Sequence, residues 1–240
     1  MKGATKENIK LTLYREGKGE FDVDVMRDTI KTINVKSEML KGDIGYIEVL
    51  AFDEGTAKDF ETQLKALEEK GMKGLILDLR GNPGGFMKEC VDLVSNFVPK
   101  DKVIVSTIDK YGNKEESVSK GGIAQGMPLV VLIDGGTASA SEIVAGAIRD
   151  YDLGTLVGTT SFGKGIVQVV LDKIGQEKDG TALKVTISKY YTPNGENIHK
   201  KGIGPDVTVE YPKELKEKTY SRSTDPQFEK ALEIIQEKIK

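Results

Sequence analysis

Along this chain the spacing of hydrophobic positions changes several times, and each change predicts an element. Ile9, Leu11 and Leu13 alternate with polar residues, as do Phe21, Val23 and Val25, with Glu16-Gly17-Lys18-Gly19 between the two runs. A period of two broken by turn residues predicts a β-hairpin over residues 9–27. Residues 29–40 read as a connection with a short strand around Ile33 and Val35, and Gly45-Tyr46-Ile47-Glu48-Val49 as a strand ending near Phe52. Ala57, Phe60, Leu64 and Leu67 fall at three- and four-residue spacing before Gly71, which predicts an amphipathic helix with a glycine stop. A continuously apolar strand follows over residues 74–79, then the turn Arg80-Gly81-Asn82-Pro83-Gly84-Gly85. Met87, Cys90, Val91, Val94 and Phe97 mark the next helix.

Further strands are predicted at residues 103–105, 129–133, 156–158, 165–171 and 183–187, with a helix over residues 139–150. Strands dominate after residue 153. Residues 213–224 look linker-like, and residues 225–239 form a last amphipathic helix with Asp225 as N-cap and Pro226 at its first position. Buried apolar strands alternating with helices indicate an α/β layered domain.

Composition narrows the chemistry. The 35 basic and 38 acidic residues leave a net charge of −3, which gives no reason to expect nucleic acid or an anionic membrane as partner. With one cysteine, Cys90, and one histidine, His199, an internal disulfide is impossible and a Cys/His zinc site has too few ligands. A Ser-His-Asp triad would have to use His199, which lies in a polar, glycine-rich stretch and reads as a solvated loop residue. No run approaches the roughly 18 apolar residues of a membrane span, and the first eight residues lack a signal peptide's apolar core. No metal or organic cofactor is expected.

Two stretches stand out against this background. Asp134-Gly135-Gly136-Thr137-Ala138-Ser139-Ala140-Ser141-Glu142-Ile143 runs from a strand into a helix, where a serine hydroxyl has helix-terminal N–H groups beside it. Thr160-Ser161-Phe162-Gly163-Lys164-Gly165 sets a lysine between two glycines. Burial disfavours the charged form of lysine and makes it a base. Each stretch has a plainer reading. Ser139 or Ser141 serves equally as a helix cap, Lys164 as a solvated hairpin tip, and the turn after Leu79 as simple tight geometry. That turn lacks the phosphate-loop and dinucleotide spacings, although its N–H groups suit an oxyanion hole. Gln168 reaches Lys164 only if its strand bulges or the chain turns.

Read together and in order, Gly45-Tyr46-Ile47, Asp78 to Gly85, Ser139 to Ala147, Gly158 to Gly165 and Gly202-Ile203-Gly204-Pro205-Asp206-Val207 resemble the C-terminal processing peptidases, or tail-specific proteases. The resemblance runs from about residue 9 to the end. In that family the general-base lysine follows the nucleophilic serine by 25 positions and a glutamine follows the lysine by four; Ser139, Lys164 and Gln168 keep both intervals, which selects Ser139 over Ser141. The resemblance implies a serine endopeptidase with a Ser139–Lys164 dyad, cleaving proteins near their C-termini. Gln168 then orients the lysine amine, and the backbone N–H groups of Gly85 and Ala140 receive the oxyanion. Asp150 matches an acidic position near the family's site, though a surface carboxylate at a helix end is an equal reading.

The implied fold is α/β: a crotonase- and ClpP-like layered core with a C-terminal strand-rich portion and a remnant of a PDZ domain. The expected organisation is a PDZ-remnant hairpin over residues 1–30, a protease core over 31–212, and a linker with a C-terminal helix packing on the core over 213–240. Because the family carries a complete PDZ domain ahead of its core, a truncated chain is expected, with an extracytoplasmic parent. The expected partners are protein or peptide substrates with an apolar C-terminus, together with a homo-oligomer or a regulatory partner. The competing readings are a non-catalytic binding scaffold on the same core and an inactive truncated fragment.

Overall fold

The computed structural model describes residues 3–29, 32–171, 181–216 and 219–240, and the chain divides into two compact units, Met1–Ile33 and Asn34–Lys240. In the first, strands β1 (Asn8–Arg15) and β2 (Gly19–Met26) form an antiparallel hairpin. Its register pairs Ile9 with Val25, Leu11 with Val23 and Leu13 with Phe21. Since side chains alternate along a strand, these pairs share one face, and Lys10, Glu20, Asp22 and Asp24 occupy the other. Gly17 and Gly19 take positive φ at the turn.

The second unit follows the order β3 (Val35–Leu40), β4 (Ile44–Val49), α1 (Thr56–Glu68), β5 (Gly74–Asp78), α2 (Met87–Val94), β6 (Val103–Asp109), β7 (Lys114–Val118), β8 (Leu129–Ile133), α3 (Ala140–Asp150), β9 (Thr155–Gly158), β10 (Ile166–Leu171), β11 (Leu183–Tyr191), β12 (Val207–Thr208), α4 (Lys213–Lys216) and α5 (Pro226–Lys238). Among the described residues its main sheet has six strands in the order β12-β9-β8-β5-β4-β3, parallel except for β3, and an antiparallel sheet of four strands is ordered β10-β11-β6-β7.

The continuous apolar runs of β5 and β8 arise because both faces of the main sheet are covered. On one face Ile47, Val49, Leu75, Leu77, Val131 and Ile133 pack with Phe60 and Leu64 of α1, Leu93 of α2 and Val144 and Ile148 of α3. On the other, Tyr46, Ile76, Val130, Leu132 and Val157 meet Phe228, Ala231 and Ile235 of α5. The fold is therefore mixed α/β, with the main sheet between helices.

Several elements differ from the pattern-based expectation: β6 runs on from Val105 to Asp109, β12 was not expected, and the stretch read as linker-like contains the short helix α4. The strand expected around Ile33 and Val35 begins at Val35 and continues to Leu40; Ile33 is exposed, while Val35 is buried and paired with Val49. Strand β7, Lys-Glu-Glu-Ser-Val, carries no apolar alternation because it is an exposed edge strand. Strand β11 runs four residues beyond Ile187, since Ser188 to Tyr191 pair with β6. Among the described residues no helix is long and apolar enough to cross a membrane.

Helix α5 is tied to the sheet by a buried ion network. Asp225 caps the helix by accepting from the Gln227 and Phe228 N–H groups, and its other oxygen accepts from Arg80 at 2.7 Å. Arg80 also donates to Asp78 and to the Gln227 side chain. Removing one partner of a buried pair typically costs about 3–5 kcal/mol, and losing a cap about 1 kcal/mol. Asp225→Ala is therefore expected to lower the urea midpoint strongly. Asp225→Asn, which keeps the cap, should lower it less; an Asp225→Asn midpoint equal to wild type would show that the charge pair with Arg80 contributes nothing.

Candidate active site

Strands β5, β8 and β9 are parallel neighbours in the main sheet, so the turns leaving their carboxyl ends lie side by side. In open α/β sheets this is where ligands bind. The turn after β5 holds Gly81 to Gly85, that after β8 holds Asp134 to Ser139, and that after β9 holds Thr159 to Gly165.

The first two turns are bonded to each other at several points. Asn82 is fully buried; its side chain donates to Val49 O and accepts from Gly84 N, while its carbonyl accepts from Ala138 N and Ser141 Oγ. Thr137 Oγ1 donates to Leu79 O, and Asp134 accepts from Gly81 N and Gly136 N. Glycine is required where the turns meet. A Cβ on Gly84 would lie 2.6 Å from Ala138 O and 2.7 Å from Ser139 Cβ. A Cβ on Gly85 would lie 2.3 Å from Phe52 O, because Gly85 forms a parallel bridge with Phe52.

Ser139 is the N-cap of α3 and has φ 57° and ψ −115°. A non-glycine residue at positive φ is uncommon, and such strain, on the order of 1–3 kcal/mol, persists only where the surroundings over-determine it. Here the Ser139 N–H donates to Glu142 Oε2 at 2.8 Å, and the Tyr190 hydroxyl donates to Ser139 O at 3.1 Å. Burial above all, and then the nearby Glu142 charge, push the Tyr190 hydroxyl well above its ordinary pKa, so it stays a donor. Ser139 is half-buried. Ser141, by contrast, is fully buried with its hydroxyl given to Asn82 O.

The lysine turn is held by the same glutamate. Glu142, 0% exposed, also accepts from Lys164 N at 2.8 Å through Oε2, and from Gly163 N at 2.7 Å and Ser161 Oγ at 2.5 Å through Oε1. From the opposite side Lys200 N donates to Gly163 O, Asn197 Nδ2 donates to Gly165 O, and Ile203 N donates to Ser161 Oγ. Beyond Gly165, strand β10 pairs with β11 through a register shift between Val167 and Gln168. A bulge of this kind re-aims side chains beside it. The Gln168 amide donates to Thr186 Oγ1 at 3.2 Å.

These turns enclose a cleft of about 250 Å³. Ser139, Lys164, Gln168, Gly85 and Ala140 all line it, together with the apolar Phe86, Met87, Ile143, Ile166 and Val167, and Lys184 and Tyr190. A larger hollow of about 820 Å³, bordered by Tyr46, Arg80, Tyr220 and Arg222, contains neither Ser139 nor Lys164. Asp150 sits at the far end of α3, bonded to Arg149 and to Asn194 N, and is not among the cleft residues. His199 is not the solvated loop residue expected from its polar neighbours. It is half-buried against Gly165, and its Nδ1 is shielded from solvent without a partner among the described residues. Among the described residues no group of three or more His, Cys, Asp or Glu side chains is placed to hold a metal.

Glu142, Asn82 and Tyr190 were not singled out by sequence reasoning. Only Glu142 carried a signal: Ser139-x-x-Glu142 has the spacing of a capping box, in which the glutamate reaches back to the N-cap N–H.

The model of "Peptidase family S41" matches residues 43–209. The chain is 42% identical over 212 residues to carboxy-terminal processing protease CtpA of Bacillus subtilis, covering 88% of this chain and 45% of that protein. It is 40% identical over 230 residues to the carboxy-terminal-processing protease of Bartonella bacilliformis, covering 92% of this chain and 51% of that protein. It thus spans about half the length of these curated relatives. Among solved structures, the photosystem II D1 C-terminal processing protease superposes with a TM-score of 0.67 at 29% identity, over 87% of this chain and 57% of that one. From the extent of the family match and the identity to these relatives, the chain belongs to peptidase family S41.

Proposed function

We propose that this chain carries the catalytic centre of a serine endopeptidase that cleaves proteins near their C-termini, with Ser139 as nucleophile and Lys164 as general base. The observation that carries the reading is the convergence of Ser139, Lys164, Gln168, Gly85 and Ala140, drawn from separate segments, on one small cleft. Lys164, in its uncharged form, takes the proton of Ser139 Oγ as that oxygen attacks a peptide carbonyl. The negative charge on the carbonyl oxygen is received by the N–H groups of Gly85 and Ala140. Ala140 is the first residue of α3, so its N–H has no intrahelical acceptor and lies at the positive end of the helix dipole. Collapse of the tetrahedral intermediate expels the amine, which takes its proton from Lys164 and leaves an acyl-serine. Water, deprotonated by Lys164, then releases the acid and restores Ser139. A Ser–Lys pair is a known variant of the triad logic.

Gln168 orients the Lys164 amine in this scheme, and the bulge beside it supports its placement on the cleft wall. The apolar lining from Phe86, Met87, Ile143, Ile166 and Val167 suits an apolar substrate tail. Asp150, anchored by Arg149 and Asn194, is assigned at most an accessory part through α3. The layering of the main sheet is compatible with a crotonase- and ClpP-like core, and we assign the hairpin of the first unit to the closing strands of a PDZ domain that captures substrate C-termini. On the resemblance to the C-terminal processing peptidases, the parent protein belongs outside the cytoplasm, with a homo-oligomer or regulatory protein as partner.

The test is cleavage of an unfolded protein with an apolar C-terminus. Ser139→Ala and Lys164→Ala should each reduce kcat/KM by about 10³-fold or more, with unchanged thermal unfolding. Activity that survives both would rule out the dyad, and a purified wild-type chain that binds but never cleaves would favour the scaffold reading. Gly85→Ala is expected to lower kcat by about 10²–10³-fold, the loss typical of a disturbed oxyanion donor. A Gly85→Ala enzyme with wild-type kcat would remove Gly85 from the hole.

A further inference from the structure

The bonding of Glu142 has a consequence for how the cleft residues are aligned. Its carboxylate is completely buried and accepts from Ser139 N, Lys164 N, Gly163 N and Ser161 Oγ, at 2.5–2.8 Å. An ionised carboxylate is acceptor-only with roughly four lone-pair sites, so these four donors, with the Tyr190 hydroxyl also beside the group, surround it with hydrogen-bonding partners. One donor belongs to the nucleophile's own peptide unit, one to that of the lysine, and the remaining two to the turn that leads into the lysine. A single side chain thus joins two turns separated by more than twenty residues, and on the nucleophile side it holds the residue with φ 57°.

We propose that Glu142 is the positioning residue of the dyad: by bonding both backbones it fixes the separation and mutual orientation of Ser139 and Lys164, without itself contacting substrate. The proposal rests on the serine-peptidase reading for its kinetic consequence, though not for its structural one. Glu142 does not line the cleft, so its loss leaves substrate binding in place and removes alignment. Displacing a reacting group by about 1 Å can cost about 10²-fold in rate. Ser161 extends the device, because its hydroxyl donates to Glu142 and accepts from Ile203 N at 2.7 Å, which ties the lysine turn to the loop behind it.

Glutamine is the isosteric test, since its amide nitrogen faces donors where a carboxylate oxygen accepted them. Glu142→Gln is expected to lower kcat about 100-fold with KM within twofold of wild type, and to accelerate hydrogen exchange at the Ser139, Gly163 and Lys164 amides. Wild-type kcat, or a loss expressed wholly in KM, would overturn the proposal. If Glu142→Gln does not fold, Ser161→Ala keeps the carboxylate and removes one donor. It should lower kcat about tenfold at unchanged KM, and an unchanged kcat would likewise overturn the proposal. If wild-type turnover proves independent of Ser139, the peptidase reading fails. The exchange measurement then still decides the positioning role: unaltered protection of the three amides in Glu142→Gln, or in Ser161→Ala, would refute it.

Discussion

The arrangement of this cleft depends on one buried carboxylate. Taking an ion out of water costs several kcal/mol even after the protein relaxes, and Glu142 is withdrawn from solvent completely. Three N–H groups and a hydroxyl offset that cost. The two turns in turn need the carboxylate, since their N–H groups would otherwise be buried without acceptors. Each side of the contact is unfavourable alone, which makes the joined geometry the stable one. It also explains how Ser139 persists at positive φ: its N–H and its carbonyl are both engaged, by Glu142 and Tyr190, in positions that a relaxed backbone would abandon.

Strand order does the rest. The glycine turn, the serine turn and the lysine turn leave β5, β8 and β9, which stand next to one another at the centre of the sheet. Three segments far apart in sequence are adjacent because their strands are paired, and short turns keep them so. The small residues follow from this crowding. Between the first two turns there is no space for a Cβ on Gly84, and the bridge to Phe52 leaves none on Gly85.

Much of this was legible in the sequence, and the remainder was hidden for identifiable reasons. Apolar runs marked β5 and β8 because a two-sided core leaves no polar face, and the three- and four-residue spacing marked α1 and α5 because each buries one face. Strand β7 was invisible, since a solvated edge strand has no pattern to read. Ser139, Lys164 and Gln168 stood out by matching the intervals of the family the chain resembles, yet intervals carry no information about strand order, and only the order brings them to one cleft. Glu142 shows the limit most clearly. On sequence its only signal is the capping-box spacing from Ser139; its burial is decided by Ser161, Gly163 and Lys164, which arrive from another strand. His199 is the reverse case, where polar neighbours suggested exposure and the ring nitrogen Nδ1 is instead shielded from solvent.

The glycine turn is anchored at both ends by elements that serve other purposes. At its start, Arg80 is held by Asp78 and by the Asp225 cap of α5 on the far face of the sheet. At its end, Gly85 is held by the bridge to Phe52, and between them Asn82 bonds to Val49, Gly84, Ala138 and Ser141. A turn of glycines has the greatest conformational entropy to lose on folding, and in the proposed oxyanion role its donors are useful only if already in place before reaction. The two requirements conflict, and the anchors reconcile them. Backbone freedom is needed to pass Phe52 and Ser139 closely, and the buried network removes that freedom once the turn is formed. The C-terminal helix therefore does more than cover an apolar face: through Asp225 its first turn is bonded to Arg80, the residue that opens the glycine turn.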